Sequence, residues 1–360
     1  MEQQAGDSLL KLAERRKEVE KRLEAHHGDL TDDHVEKFTT ELANLRRELV
    51  GEFQGQTNDV TRLETLVEIV RTLEVELIHL HNLVVDPSRD HRELSKRIDS
   101  LLAEVSSTGK GSPSRLETSY YRGVLAMFAG DRDKARRLFE SVCESEESDE
   151  SSDVKYKSFV ILGHLSHEDS DYENAKELHD RSMEFSSHSN VTAQALALKA
   201  LNSYALGEAG EALELFENAL KEFNEDEPHY NEYFHRNALL FCGAIYFDRK
   251  NYEQAKEYYE KVLDHVETAS YDFFDANAQL GKIYFASEEW DAATSRFQRA
   301  VENQAGNENE YLLDTYFWLA RSLLKKDQKK DARECLDRIV NSEVKYAKRP
   351  QAQALLARVS

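Results

Sequence analysis

The chain has 360 residues, 40% of them apolar and 32% charged, with four prolines and fourteen glycines. So many apolar side chains and so few helix breakers predict an all-α protein of long helices and short turns, with no sheet. The formal net charge is −22, and residues 111–320 alone carry 41 acidic against 20 basic side chains. Because nucleic-acid binding depends on clustered Lys and Arg, this balance argues against a nucleic-acid partner.

Residues 1–108 are predicted to form a helical bundle or a coiled-coil arm. Within the segment Thr57–Val85, apolar residues alternate at spacings of three and four, the pattern of a coiled-coil seam: Leu63, Leu66, Val70, Leu73, Leu77, Leu80 and Val84. An earlier stripe from Leu9 to Leu23 is interrupted by Arg16, and a fourth helix is expected to carry Leu94, Ile98, Leu101 and Val105. Short turns favour an antiparallel bundle within one chain. The alternative is a homodimer through the N-terminal helices.

After a flexible linker at 109–113, one pattern recurs six times over residues 114–346. Each copy contains an alanine, at Ala135, Ala175, Ala212, Ala255, Ala293 and Ala332. A small residue lies twelve positions earlier, at Gly123, Gly163, Ala200, Gly243, Gly281 and Ala320. A large side chain lies four positions later, at Phe139, His179, Phe216, Tyr259, Phe297 and Leu336. A period of a few tens of residues predicts stacked hairpins of two helices, helix A and helix B.

The pattern has a physical reason and one irregularity. The small residue on helix A and the alanine on helix B allow the two helices to approach closely, and the large residue is expected to fill the gap between neighbouring hairpins. In the third copy, Tyr204 fits the aromatic position of helix A only if the turn at Gly207–Gly210 is one residue shorter than elsewhere. An acidic, Ser-rich loop is predicted at 144–153, and a capping helix at 347–360.

This repeat resembles the tetratricopeptide repeat, and the resemblance covers residues 114–346. It implies an α-solenoid of about six helical hairpins whose A helices line a groove for a partner peptide or helix. The candidate groove residues are Tyr120, His164, His167, Asn237, Phe247, Asp275, Lys282, Phe285, Asp314, Phe317 and Arg321. Phenylalanines between charges of both signs suit a peptide ligand. The equal alternative is that neighbouring helices cover those phenylalanines.

Some members of this family hold a C-terminal carboxylate with a clamp of lysines, asparagines and arginine on successive A helices. The corresponding positions of the first two copies here do not match that clamp: Glu117, Tyr120, Val124, Lys157, Val160 and His164. That specificity is therefore not expected of this chain.

No catalytic or cofactor motif stands out in the sequence. Residues 109–112 lack the glycine spacing of a phosphate-binding loop, and there is no Gly-x-Ser-x-Gly or Cys-x-x-Cys pattern. His164 and His167 lie three residues apart but lack a third ligand at metal-site spacing, so we expect a groove contact and no metal. The three distant cysteines, Cys143, Cys242 and Cys335, are expected to be reduced thiols in a cytoplasmic protein. No apolar stretch is long enough to cross a bilayer.

These observations favour a non-enzymatic scaffold or adaptor that binds a protein or peptide partner without a cofactor. The alternative is a regulator of response-regulator signalling, because a helical bundle followed by such repeats is similar in layout to the bacterial Rap family. The basic end, residues 321–360 with 11 basic and 5 acidic side chains, either binds an acidic partner or another copy of the chain, or is a solvated helix face.

Overall fold

The computed structural model describes residues 2–25, 32–55, 59–79, 92, 95–96, 98–100, 115–146, 152–186, 188–227, 229–266, 268, 270–303 and 308–359. Within these residues the chain consists of helices and turns without a strand, as predicted. The helices with defined bounds are α1 (Glu2–Ala25), α2 (Asp32–Gly55), α3 (Asp59–His79), α4 (Arg115–Phe128), α5 (Arg132–Cys143), α6 (Ser152–Glu168), α7 (Tyr172–Met183), α8 (Ser189–Ala205), α9 (Ala209–Glu222), α10 (Glu232–Asp248), α11 (Tyr252–Asp264), α12 (Tyr271–Ala286), α13 (Trp290–Glu302), α14 (Glu310–Lys325), α15 (Lys329–Asn341) and α16 (Arg349–Val359).

The chain divides into two compact units, Met1–Tyr233 and Phe234–Ser360. Unit 1 contains α1–α9, and unit 2 begins two residues into α10 and contains the rest of the helices. The predicted linker at 109–113, three apolar positions of the predicted fourth helix and residues 147–151 of the acidic loop lie outside the described residues. Residues 92, 95–96 and 98–100 are helical.

The first three helices form an antiparallel bundle at the start of unit 1. Ser8 of α1 donates a hydrogen bond to Glu52 of α2 at 2.7 Å, and Arg15 pairs with Glu48 at 2.6 Å. The α1 residue nearer the N-terminus thus contacts the α2 residue nearer the C-terminus, which shows that α1 and α2 are antiparallel. Arg16, which interrupts the apolar stripe of α1, is 7% exposed because it crosses the bundle.

Arg16 donates to Glu68 of α3 at 3.0 Å, so the charge inside the bundle is paired. The described part of the predicted seam is also buried within the chain: Leu66, Val70 and Leu73 are at most 1% exposed. One apolar core runs from α1 through α3 into α4 and α6, the A helices of the first two repeats. The N-terminal bundle and these repeats therefore belong to one compact unit.

The six repeats are in phase. Every A helix ends seven residues before the repeat alanine, and every B helix begins three residues before it. All six alanines are fully buried. The predicted short turn in the third copy is wrong, because α8 ends at Ala205 and α9 begins at Ala209 with the same spacing as elsewhere.

The turn between helices A and B has the same geometry in each copy. The residue five positions before the repeat alanine has a positive φ in all six: Gly130, Ser170, Gly207, Lys250, Glu288 and Asp327. Its N–H donates to the carbonyl three residues back, and the next N–H donates to the carbonyl five residues back. This hydrogen-bond pattern is the Schellman motif at the end of a helix. Its left-handed residue is most often glycine, and other residues adopt the conformation at a cost in free energy.

In the four copies whose A helix has a glycine at the small position, the large residue of the B helix packs against that glycine. A Cβ atom added at Gly281 would lie 2.5 Å from the Phe297 ring, and one at Gly243 would lie 2.9 Å from the Tyr259 ring. Gly123 and Gly163 stand in the same relation to Phe139 and His179. These large residues therefore close their own hairpin. Phe297 also packs in one buried cluster with Leu319 and Leu323 of the next hairpin, as expected of a residue that fills the gap between hairpins.

Candidate functional site

In unit 1, the N-terminal bundle covers part of the predicted groove. Tyr120 is 1% exposed, and its hydroxyl donates to Glu74 of α3 at 3.0 Å. Lys157, the groove position of the second copy, also pairs with Glu74, at 2.9 Å. Burial alone would lower the pKa of Lys157, but the charges of Glu74 and Asp153 outweigh it and raise that pKa. Tyr120 is therefore a core residue, and its expected role as an open groove contact is wrong.

The two candidate histidines of unit 1 contact different neighbours. The His164 ring lies 5.7 Å from the buried His179 ring, whereas His167 Nδ1 lies 2.7 Å from Asn202 Oδ1. His167 also stacks edge-on with Tyr172 at 5.1 Å. Helical spacing alone thus does not bring His164 and His167 onto one ligand.

Three candidates of unit 2 lie on its first two A helices. Asn237 and Phe247 of α10 are half-buried, and the Phe247 ring packs 5.6 Å from Tyr252 in its own hairpin. Asp275 of α12 accepts a hydrogen bond from Gln279 at 3.1 Å, and burial raises the pKa of Asp275. Phe247 therefore contacts the B helix of its own hairpin and stays partly exposed.

In unit 2, Asp314 of α14 contacts the candidate Lys282 and three residues outside the candidate set, Tyr346, Lys348 and Trp318. Its carboxylate accepts hydrogen bonds from Tyr346 at 3.0 Å and Lys348 at 2.5 Å, and Lys282 of α12 lies 3.5 Å away. Trp318, one turn along α14, donates its indole N–H to Asp314 at 3.2 Å. Burial would raise the pKa of Asp314, but the hydrogen bonds and cations hold it below its ordinary value.

Arg321 lies at the centre of an aromatic cluster. Its guanidinium carbon is 4.4 Å from the centre of the Trp318 ring, 4.8 Å from Phe285 and 5.8 Å from Phe317. Burial lowers the pKa of Arg321. Such contacts with ring faces partly offset the loss of water around a guanidinium. We call Phe285, Phe317, Trp318, Arg321 and Lys348 the aromatic–basic cluster.

A cavity of about 420 Å³ adjoins this cluster, between α14 and α16. Its lining residues are Phe317, Trp318, Arg321, Lys348, Gln351, Ala354, Leu355 and Arg358. Sequence reasoning found Phe317 and Arg321 but missed the others. The excess of basic residues at 321–360 was the sequence feature that could have indicated Lys348 and Arg358, but it does not show which surface they line.

Two segments of the chain match family models of the tetratricopeptide repeat, residues 238–264 and residues 314–343. They fall on the fourth and sixth of the six in-phase hairpins. This is a tetratricopeptide-repeat protein. No curated protein matches the chain.

Solved structures agree with a tetratricopeptide-repeat fold. A signal-transduction ATPase with a tetratricopeptide-repeat sensor from Pyrococcus horikoshii has a TM-score of 0.53 at 15% identity, over 92% of this chain and 50% of that one. The C-terminal part of a repeat-containing protein from Cytophaga hutchinsonii also has a TM-score of 0.53, at 11% identity, over 80% of this chain and 99% of that one. YrrB, described as a tetratricopeptide-repeat protein with an unusual peptide-binding site, has a TM-score of 0.45 at 18% identity, over 62% of this chain and 98% of that one.

The family supports a role in protein–protein interaction. Among the described helices of this tetratricopeptide-repeat protein, none combines the length and the apolar character needed to span a membrane.

Proposed function

We propose that the protein is a non-enzymatic, cytoplasmic scaffold that binds a partner polypeptide through the aromatic–basic cluster of unit 2. The observation that carries the proposal is the position of Arg321, a cation held by three aromatic rings at the edge of a cavity. Aromatic residues and arginine supply most of the binding energy in protein interfaces. The A-helix face of the first repeats is a poorer candidate, because α3 already contacts it through Glu74.

The partner is expected to bind as an extended segment or a single helix. A cavity of about 420 Å³ lies at the small end of the range for ligand pockets, roughly 300–1,000 Å³. It accommodates a few side chains of a longer segment whose remainder lies along α12 and α14. We do not propose dimerisation through the N-terminal seam, because its described residues are buried within the chain.

A capture experiment from a lysate of the native host tests the proposal. The full chain would be immobilised, and its partners identified by mass spectrometry. The double variant Phe285→Ala and Arg321→Glu removes one ring and reverses the charge of the cluster. We leave Phe317 intact, since it is 6% exposed and packs against Tyr346 in the core of the terminal hairpin.

Loss of the main partner with this double variant would support the proposal. The matched control is Lys330→Glu, which reverses the charge of an exposed residue on α15 away from the cavity lining. Undiminished capture by the double variant, with circular dichroism unchanged, would exclude the cluster as the binding surface.

The second candidate function is regulation of a response regulator, as in the Rap-like layout. The observation in its favour is that the three-helix bundle shares a core with the first repeats, so the two parts can act as one body. Incubation with phosphorylated response regulators tests it. Accelerated phosphate loss or blocked DNA binding would favour this function, and no effect on any regulator of the host would exclude it.

A further inference from the structure

The cavity between α14 and α16 has an unbalanced charge. Three cations line it, Arg321, Lys348 and Arg358, and no carboxylate is among its lining residues. Lys348 is paired with Asp314. Arg321 and Arg358 have no carboxylate partner among the residues that the structure describes. An incoming anion would therefore meet two guanidinium groups that no described carboxylate neutralises.

Other arginines of unit 2 show that this arrangement is not general. Four of them pair with carboxylates at 2.9 to 3.7 Å: Arg236 with Asp272, Arg296 with Glu260, Arg333 with Asp337 and Arg338 with Glu308. In a chain with 69 acidic residues, a partner is readily available to most cations. Arg321 instead contacts three rings, and burial lowers its pKa, as expected for a cation that has lost water without gaining an anion.

Unit 1 shows how the same face of an A helix accepts a carboxylate. Glu74 of α3 lies against the first two repeats, where Tyr120 donates to it at 3.0 Å and Lys157 pairs with it at 2.9 Å. Both partners occupy groove positions of their repeats. Unit 1 therefore already contains an intramolecular example of the interaction: an acidic side chain of one helix contacts an aromatic hydroxyl and a cation at groove positions.

The remaining lining is apolar and aromatic. Phe317, Trp318, Ala354 and Leu355 form the walls beside the cations. A ligand that suits both parts has a carboxylate next to a bulky apolar side chain. The planar fork of a guanidinium can donate two parallel hydrogen bonds to such a carboxylate, and these charge-assisted bonds are roughly twice as strong as neutral ones.

We infer that this cavity is a receptor for an acidic peptide segment, with a glutamate or aspartate side chain on Arg321 and Arg358 and an adjacent apolar side chain against Phe317 and Trp318. The inference rests on the proposed function and specifies the chemistry of the partner. Lys348, whose charge is shared with Asp314, attracts the ligand from a distance. Residues of the capping helix α16 are thus part of the binding site.

Fluorescence anisotropy of the full chain with short labelled peptides tests the inference. The acidic probe has glutamates that flank a Leu-Phe pair, the neutral probe has glutamine at those positions, and the basic probe has lysine. We expect the acidic probe to bind at least about tenfold more tightly than the neutral probe, and the basic probe not to bind. The affinity for the acidic probe should fall as salt is raised.

Two single-residue variants connect the selectivity to the cavity. Arg321→Lys keeps the charge but removes the planar fork, and it should weaken acidic-probe binding about tenfold. Arg358→Gln alters an exposed residue of the terminal helix and should weaken binding by roughly three- to tenfold. Lys330→Gln, on a surface outside the cavity, should leave the affinity unchanged.

Several results would overturn the inference. Equal affinity for the acidic and neutral probes would show that charge is not recognised, and wild-type affinity in both arginine variants would place binding elsewhere. Displacement of the acidic probe by an equal concentration of inorganic phosphate would reassign the cavity to phosphate. If the Phe285→Ala and Arg321→Glu double variant loses partner capture while the acidic and neutral probes bind equally, the acidic nature of the ligand is refuted and the proposed function is not. If capture is undiminished while the probes remain acid-selective, the proposed function fails.

Discussion

His179 occupies a position that in each of the other five repeats holds a side chain without a proton site that titrates in mild acid, and it should make unit 1 sensitive to mild acid. The ring is 1% exposed, and its Nδ1 atom has no hydrogen-bond partner among the described residues. Burial, with smaller contributions from His164 and His167, holds the pKa of His179 well below its ordinary value of 6.5. Replacement of His179 by Phe, as found at Phe139 and Phe297, removes this proton site.

The magnitude follows from proton linkage. In the unfolded chain His179 binds a proton as the pH falls through 6.5, whereas the folded chain resists protonation. The unfolded state therefore binds more protons, and stability falls as the pH falls. The contribution of His179 is fully present above pH 6.5 and is lost below it, by up to about 1.4 kcal/mol per pH unit. At about pH 5 the accumulated loss is roughly 2 kcal/mol.

Urea unfolding monitored by far-UV circular dichroism measures this loss. The free energy of unfolding of the wild type should fall by about 2 kcal/mol more than that of His179→Phe between about pH 7.5 and about pH 5. The matched control is Tyr259→Phe, the same position in the fourth repeat, which has no group that titrates in this range. An identical pH dependence in the wild type and His179→Phe would refute the reasoning, because it would mean that the buried ring takes up its proton in the folded state.

Four further substitutions test the packing and the site. Gly281→Ala places a Cβ atom 2.5 Å from the Phe297 ring, so urea unfolding should show a loss of about 1–3 kcal/mol; unchanged stability would mean that the hairpin can open without cost. Lys250→Gly relieves a φ of 60° in a turn and should raise stability by up to about 1 kcal/mol, whereas Gly207→Ala, at a φ of 81°, should lower it by a similar amount. Asp314→Asn should destabilise unit 2 by about 1–3 kcal/mol at neutral pH, as reported by the fluorescence of Trp290 and Trp318, and the difference from wild type should shrink as the pH falls through the lowered pKa of Asp314. A difference that stays constant in acid would mean that the carboxylate is not held ionised by its partners.

The repeat pattern could be predicted because its cause is local. A glycine on helix A and a ring on helix B, sixteen residues apart, must meet for the hairpin to close, and Gly281 and Phe297 do so. The short turn expected in the third copy was inferred from Tyr204, which lies one residue too far along helix A to match the aromatic position of the other copies. The invariant feature is a left-handed backbone conformation at one residue of the turn, which Lys250 adopts as well as Gly207. Since non-glycine residues fill most of these turns, the sequence carries no glycine signal for them.

The candidate groove could be predicted only in part, because a helix from elsewhere in the chain covers some of it. Tyr120 and Lys157 satisfy the groove pattern, yet Glu74 from a helix some forty to eighty residues earlier occupies them. No local pattern indicates where a distant helix will pack. Trp318 was missed for a simpler reason: it follows Phe317 directly, and the repeat resemblance assigns only one of two adjacent positions to the groove.

The cavity beside α16 should lower the stability of unit 2 while leaving room for a ligand. A helix that served only to cap the repeats would be most stable with apolar side chains that filled the space against Phe317, because an unfilled apolar wall forgoes packing contacts. Ala354, a small exposed residue, instead leaves that space open. Ala354→Leu should partly fill the cavity, raise the urea midpoint of unit 2 by an amount equivalent to about 0.5–2 kcal/mol, and abolish acidic-probe binding. Ala354→Ser, which adds little volume, should change neither. If Ala354→Leu stabilised the unit while the probe still bound with wild-type affinity, the cavity would be a packing defect and the ligand would bind outside it.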